Sequence, residues 1–162
     1  YEGIAMTAAL DTNILLDIVG DDPDFSKSSM GLIEKYGDVG SLIISPIVYS
    51  ELLVFFLRKH AKALAIQKLE EFLEDIGVEL VGFDKGDLAL AAGAWRGFSF
   101  IRAVACPKCG ATNEFNCKKC DSGVSWRNHI LTDFLIGAHA QNHAEILLTR
   151  DRGYYNSFST GL

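Results

Sequence analysis

The sequence predicts an α/β fold in which a central parallel sheet lies between layers of helices. Apolar runs of strand length recur at 7–10, 41–45, 78–83 and 145–149, and the stretches between them space their apolar residues as helices do. Parallel neighbours need crossover connections, and helices carried by those crossovers cover both faces of a sheet. No repeat, low-complexity stretch or linker interrupts the 162 residues, so a single core is expected.

The first run, Thr7-Ala8-Ala9-Leu10, ends at Asp11, and helical amphipathicity follows from Asn13 to Asp17. After the polar break from Gly20 to Asp24, a helix over 25–36 sets Met30, Ile33 and Tyr36 on one face and stops at Gly37. The strand over Ser41–Ser45 meets Pro46, and a serine hydroxyl followed by a ring of fixed φ is a strong helix start. That helix should run to about Lys59. A second, over 61–76, directs Leu64, Leu69, Phe72 and Leu73 inward and ends at Gly77. Val78–Phe83 reads as the third strand. Asp84 caps a helix through Leu88, Ala91, Ala92 and Trp95, weakened by Gly86, Gly93 and Gly97. A last helix over 128–142 precedes the strand at 145–149.

Hydrophobic residues make up 49% of the chain and charged residues 22%, the balance of an ordinary folded protein. The longest apolar stretch, Ile47–Leu57, is broken by Ser50 and Glu51 and falls short of the roughly 18 to 20 residues of a membrane span. The residues before Met6 lack the basic and apolar segments of a signal peptide and are read as an expression remnant. A net charge of −6 argues against a surface that attracts nucleic acid everywhere, so any such binding must be local.

Open parallel sheets collect their sites at the carboxyl ends of the strands. Asp11 closes the first strand, Glu51 lies near the start of the helix after the second, and Asp151 follows the last. Asp133 interrupts the apolar Ile130–Ile136, where an unpaired buried carboxylate would protonate or find a cation. Together these hard oxygen donors suit Mg²⁺ or Mn²⁺, which can orient and deprotonate a water for attack on phosphorus. Singly, Asp11 and Asp151 read equally well as capping or turn residues, Glu51 as a solvated helix residue and Asp133 as an arginine's partner.

The segments Leu10–Asp17, Ser45–Leu52, Leu131–Ala138 and Leu148–Tyr155 resemble, in order, the four acidic motifs of PIN-domain nucleases. The resemblance implies a three-layer α/β/α fold with Asp11, Glu51, Asp133 and Asp151 as metal-binding, catalytic carboxylates. It also implies support from the hydroxyl of Thr149 and from Asn13, and a further short strand beyond Leu162. The VapC-like toxin ribonucleases are the branch most similar.

All four cysteines fall within one short segment, as Cys106-x-x-Cys109 and Cys117-x-x-Cys120 with seven residues between the pairs. Two such knuckles can wrap one tetrahedral ion, and a closed four-thiolate site points to structural Zn²⁺ in a reducing, cytoplasmic compartment, with iron or a redox pair as the alternatives. The expected division is a core of 6–103 and 125–162 with a zinc knuckle inserted at 104–124, where VapC-like proteins have a short connection. Between Arg102 and Arg127 the chain carries five basic and two acidic residues, a local +3 against −9 for the remainder. With Phe115 and Trp126, this makes Lys108, Lys118, Lys119 and Arg127, together with Arg150 near the acids, the candidate RNA contacts. A knuckle whose aromatics cover only its own small core is the alternative.

His139 and His143 have i, i+4 spacing but no accompanying glutamate, and with His129 they read as surface residues, while His60 follows a helix end and carries no functional signal. Arg150 and Arg152 flank Asp151, where they can steer a phosphate or pair with Asp133 or Asp151. The expected function is a Mg²⁺- or Mn²⁺-dependent endoribonuclease, the toxin of a toxin–antitoxin pair, with an antitoxin and a second copy as partners and no membrane. Ribosomal or other RNA processing, with the knuckle gripping RNA, and a non-catalytic protein-binding scaffold are the alternatives.

Overall fold

The computed structural model describes residues 6–98, 104–105, 109, 111–113, 116–121 and 131–151. Four parallel strands form the central sheet: β1 (Met6–Leu10), β2 (Gly40–Ile44), β3 (Val78–Leu80) and β6 (Ile146–Leu148), in the order β3-β2-β1-β6. Between β1 and β2 run α1 (Thr12–Val19) and α2 (Ser26–Gly37), and between β2 and β3 run α3 (Pro46–Leu57) and α4 (Lys62–Asp75). The return to β6 uses α5 (Lys85–Phe98) and α6 (Thr132–His143), with a two-stranded antiparallel ladder between them, β4 (Val104–Ala105) with β5 (Thr112–Asn113).

Alternation along the strands separates the layers. Ala8, Leu10, Leu42 and Ile44 share a buried cluster with residues of α1 to α4 and with Ile136 of α6, whereas Ala9 and Ile43 pack on Ala140 of α6. Helices α5 and α6 pack together through Ala91, Phe134 and Ala138, with Trp95 edge-on to Phe134. The result is the expected three-layer α/β/α arrangement, its strands apolar on both faces as a covered parallel sheet requires.

The sequence signals explain most boundaries. Ser45 accepts from the amide of Val48 at 3.4 Å with Pro46 opening α3. Asp84 and Asp87 cap α5 reciprocally: the Asp87 amide donates to Asp84 Oδ1 at 3.0 Å and the Asp84 amide to Asp87 Oδ2 at 2.9 Å. Gly77 ends α4 at φ 67°, a left-handed conformation that costs a side-chain-bearing residue steric strain. Gly40 lets β2 approach β1, since a Cβ there would overlap the Met6 backbone.

Three expectations fail for identifiable reasons. Leu64 is 43% exposed, because the inward stripe of α4 is Ala65, Leu69 and Leu73 at four-residue spacing and Leu64 falls outside it. β3 stops at Leu80 and not at Phe83. The Val81 amide still donates to Ile44, but its carbonyl accepts from His139 Nε2 at 2.9 Å and Phe83 packs edge-on to the same ring, so the chain turns onto α6. His139, expected at the surface, is 1% exposed, and burial holds its pKa below the usual imidazole value. The last helix begins at Thr132, and positions 128–130 with His129 lie outside the described residues.

Asp87 ties the α5–α6 layer together. It is 0% exposed, and its oxygens also accept from Asn142 at 2.8 Å and from His143 Nε2 at 2.9 Å. Burial alone would raise its pKa, but the Asp84 amide, Asn142 and His143 outweigh it and hold the carboxyl below the ordinary range. Asp87→Ala strands three donors at once, and we expect a loss of about 2 to 4 kcal/mol in urea unfolding. A loss under about 0.5 kcal/mol, the range of ordinary surface substitutions, would contradict this role.

Candidate active site at the carboxyl edge of the sheet

Strand order reverses between β1 and β6, and the carboxyl ends of these two strands meet there. The Asp11 amide donates to the Leu148 carbonyl at 3.0 Å, which locks the two ends side by side. This is the switch point at which open α/β sheets form their crevices.

Asp11 is 5% exposed, and both its oxygens are engaged. Oδ1 accepts from the Thr12 amide at 2.7 Å, making Asp11 the N-cap of α1. Oδ2 accepts from the Thr149 hydroxyl at 2.6 Å and from Asn13 Nδ2 at 2.8 Å. The Thr149 oxygen in turn accepts from the Asp151 amide at 2.9 Å, so one hydroxyl joins the first and last acidic segments. Glu51, half-buried on α3, accepts from the Thr12 hydroxyl. Asp133, in the first turn of α6, reaches the same region from the other layer.

Electrostatics link the four acids. Burial, then the charges of Asp11, Asp151 and Glu51, push the Asp133 carboxyl up to about 6. Three neighbouring carboxylates that all disfavour the ionised form of a fourth make an all-oxygen, strongly anionic cluster. Such a donor set fits a hard divalent cation, which retains waters and so does not require every carboxylate in direct contact.

Among the described residues, the one triad of His, Cys, Asp or Glu whose donor atoms lie within 4.8 Å of each other is elsewhere, at Asp84, Asp87 and His143. His143 is ten residues from Asp133 on α6, roughly 15 Å along a helix. Asp87 there is committed to helix capping and interhelical bonds, so this triad is read as structural.

Other predicted residues fall into separate groups. Cys109, Cys117 and Cys120 are thiols in the α5–α6 connection. The first pair's spacing falls between β4 and β5, and the second pair sits in a turn closed by the Asp121 amide donating to Cys117 at 2.8 Å. Lys118 and Lys119 lie exposed in that turn. Cys106, Lys108, Phe115, Trp126, Arg127 and Arg152 lie outside the described residues. Arg150 pairs with Asp17 at 2.7 Å and not with Asp133 or Asp151.

Sequence reasoning missed Asp17 and Thr12. Asp17 carried a usable signal, a charged residue within the apolar Ile14–Val19 run, the same signal that exposed Asp133. Thr12 carried none, because a hydroxyl after an N-cap has no distinctive spacing.

The raised Asp133 pKa fixes a sign. The folded chain holds an extra proton between the ordinary value of about 4 and about 6, so this group's stabilisation is greatest at low pH and is lost as pH rises through 6. Asp133→Asn should therefore raise the melting temperature of the metal-free protein at pH 7.5 and flatten its pH dependence between 4 and 7. Equal melting curves for both proteins across that window would show that the repulsion is absent.

Comparison with known proteins agrees with the architecture. A chain in the crystal structure of VapBC2 from Rickettsia felis bound to a DNA fragment from their promoter superposes with a TM-score of 0.61 at 21% identity, covering 93% of this chain and 92% of that one. One in the structure of VapBC-1 from nontypeable Haemophilus influenzae gives 0.58 at 18% identity, covering 94% and 92%. A search of curated proteins gives no match. The PIN domain family model matches residues 8–157 and so takes in Asp11, Glu51, Asp133 and Asp151; the chain belongs to the PIN-domain family.

Proposed function

We propose that this protein is a Mg²⁺- or Mn²⁺-dependent endoribonuclease and the toxin of a toxin–antitoxin pair. The observation that carries the reading is the cluster of Asp11, Glu51, Asp133 and Asp151, in which burial and then the charges of the other three raise the Asp133 carboxyl pKa. A bound divalent ion would supply a more acidic water and stabilise charge on the phosphodiester oxygens. Asp11, oriented on both oxygens, is the fixed ligand of the set. Glu51 is aimed by Thr12, and Asp151, exposed at the end of the β6 segment, faces incoming substrate. The Asp133 carboxyl, pushed up to about 6 by burial and by its neighbours' charges, is suited to exchange a proton with water. Thr149 and Asn13 hold Asp11 in place.

Similarity of the fold to chains in VapBC assemblies supports the toxin reading and an antitoxin partner. A second copy is a further partner. Among the described residues, no helix is long and apolar enough to cross a membrane. The chemistry is tested by incubating total RNA with purified protein. Wild type cleaves with Mn²⁺ and stops with a chelator, and Asp11→Asn, which removes charge and not volume, loses at least about 100-fold in rate while staying folded. Undiminished cleavage by Asp11→Asn would remove the cluster from catalysis. Growth arrest on inducing the wild type and not Asp11→Asn supports the toxin role, and mapped cuts confined to ribosomal RNA precursors without arrest support RNA processing.

The insertion at 104–124 is proposed to bind structural Zn²⁺ through Cys106, Cys109, Cys117 and Cys120, and to offer Lys108, Lys118, Lys119 and Arg127 to RNA. Its support is the spacing of the pairs and the turns that carry Cys109, Cys117 and Cys120. Elemental analysis of the reduced protein should give one Zn²⁺ per chain. Stripping that zinc should increase amide exchange across 104–124 and leave the sheet protected, because the core has its own apolar layers. Protein without bound zinc or iron would overturn the assignment.

A further inference from the structure

Arg150 stands between Thr149 and Asp151, yet its guanidinium pairs with Asp17, which is not one of the four acids. Nη2 donates to Asp17 Oδ1 at 2.7 Å, and the guanidinium carbon lies 4.1 Å from the centre of the Phe25 ring. Asp17 is 2% exposed and also accepts from the Ser29 hydroxyl at 2.6 Å. The Arg150 amide donates to Asn13 Oδ1 at 3.1 Å. One residue thus fastens the end of β6 to α1 through two bonds and to the start of α2 through a stacked ring.

This fastening bears on Asp151. Residues 149–151 belong to no strand or helix, and Asp151 is exposed on them within range of like charges. The position of a carboxylate among like charges depends on how its backbone is held. The bonds of Thr149 hold one side of it, and the Arg150 attachments hold the residue immediately before it. Asp17 suits this task because a buried carboxylate left without its cation is strongly unfavourable, so the pair resists separation.

We infer that Asp17 and Arg150 form a positioning pair that sets Asp151 for metal binding, with Phe25 as the platform that orients the guanidinium. The inference rests on the proposed nuclease reading. It assigns Arg150 to positioning and not to RNA contact, and gives Asp17 a purpose outside the four acids.

The test is Mn²⁺ affinity, by paramagnetic resonance of free Mn²⁺, together with single-turnover cleavage. Arg150→Ala and Asp17→Asn should each weaken Mn²⁺ binding about tenfold or more, since small displacements of reacting groups are costly. The double variant should be no worse than either, because both remove one interaction. The rate at saturating RNA should fall while KM changes less than about twofold, because no RNA contact is lost. Arg150→Lys, which keeps the charge and guards against misfolding, should recover most of the affinity. A lowered melting temperature with unchanged Mn²⁺ affinity would make the pair a structural tie only. A raised KM with unchanged rate would make Arg150 an RNA contact, and either result overturns the inference. If the wild type binds no Mn²⁺, the nuclease reading fails, and amide exchange decides the positioning separately. The Asp151 amide should then exchange about tenfold faster or more in Arg150→Ala, and equal exchange overturns the pair.

Discussion

Four carboxylates gathered at one edge of the sheet repel one another, and much of the local structure is arranged to keep them there. Asp11 is held by the Thr12 amide, Asn13 and Thr149, Glu51 by the Thr12 hydroxyl, and the Asp151 segment by Thr149 and Arg150. The remaining strain is expressed at Asp133, which is half-buried against the other three. A fold selected only for stability would place an amide or an apolar residue there. Retaining an anion at that point makes physical sense when a cation joins it.

The same bonds serve two purposes. Asp11 caps α1 and belongs to the acid cluster, so the ordinary helix-cap reading of this residue and the functional one hold together. Thr149 follows β6 and bridges Asp11 to the Asp151 amide. By contrast, the second acidic group, Asp84 and Asp87 with His143, has its buried oxygens fully used in joining α5 to α6. Burial and hydrogen bonding distinguish the two clusters. Asp87 has its carboxyl stabilised as an anion by donors, and Asp133 has its anion destabilised by burial and then by its neighbours' charges.

Much of this was legible in the sequence because its signals are local. Ser45-Pro46, Asp84 before α5 and Gly77 after α4 mark ends through their own backbone chemistry, and the apolar runs mark the strands. The four acids were legible through their order, through the strand-end positions of Asp11 and Asp151, and through the interruption of an apolar run by Asp133. What escaped depends on partners distant in sequence. His139 is buried because Val81 turns to meet it, 58 residues away, and β3 is short for the same reason. Leu64 is exposed beside the buried Ala65, and an apolar residue one position from a buried stripe fits a helical pattern almost as well as its neighbour. Asp17 needs Arg150, 133 residues on, to be recognised as one half of a pair.

The central claim, that the acids form one electrostatic unit adapted to a divalent cation, is tested most directly by ¹³C NMR titration of the Asp133 carboxyl with and without Mg²⁺. The account predicts a midpoint near 6 in the metal-free protein and a clear fall when Mg²⁺ is present, because the cation reverses the local field. An ordinary midpoint of about 4 that Mg²⁺ leaves unchanged would contradict it.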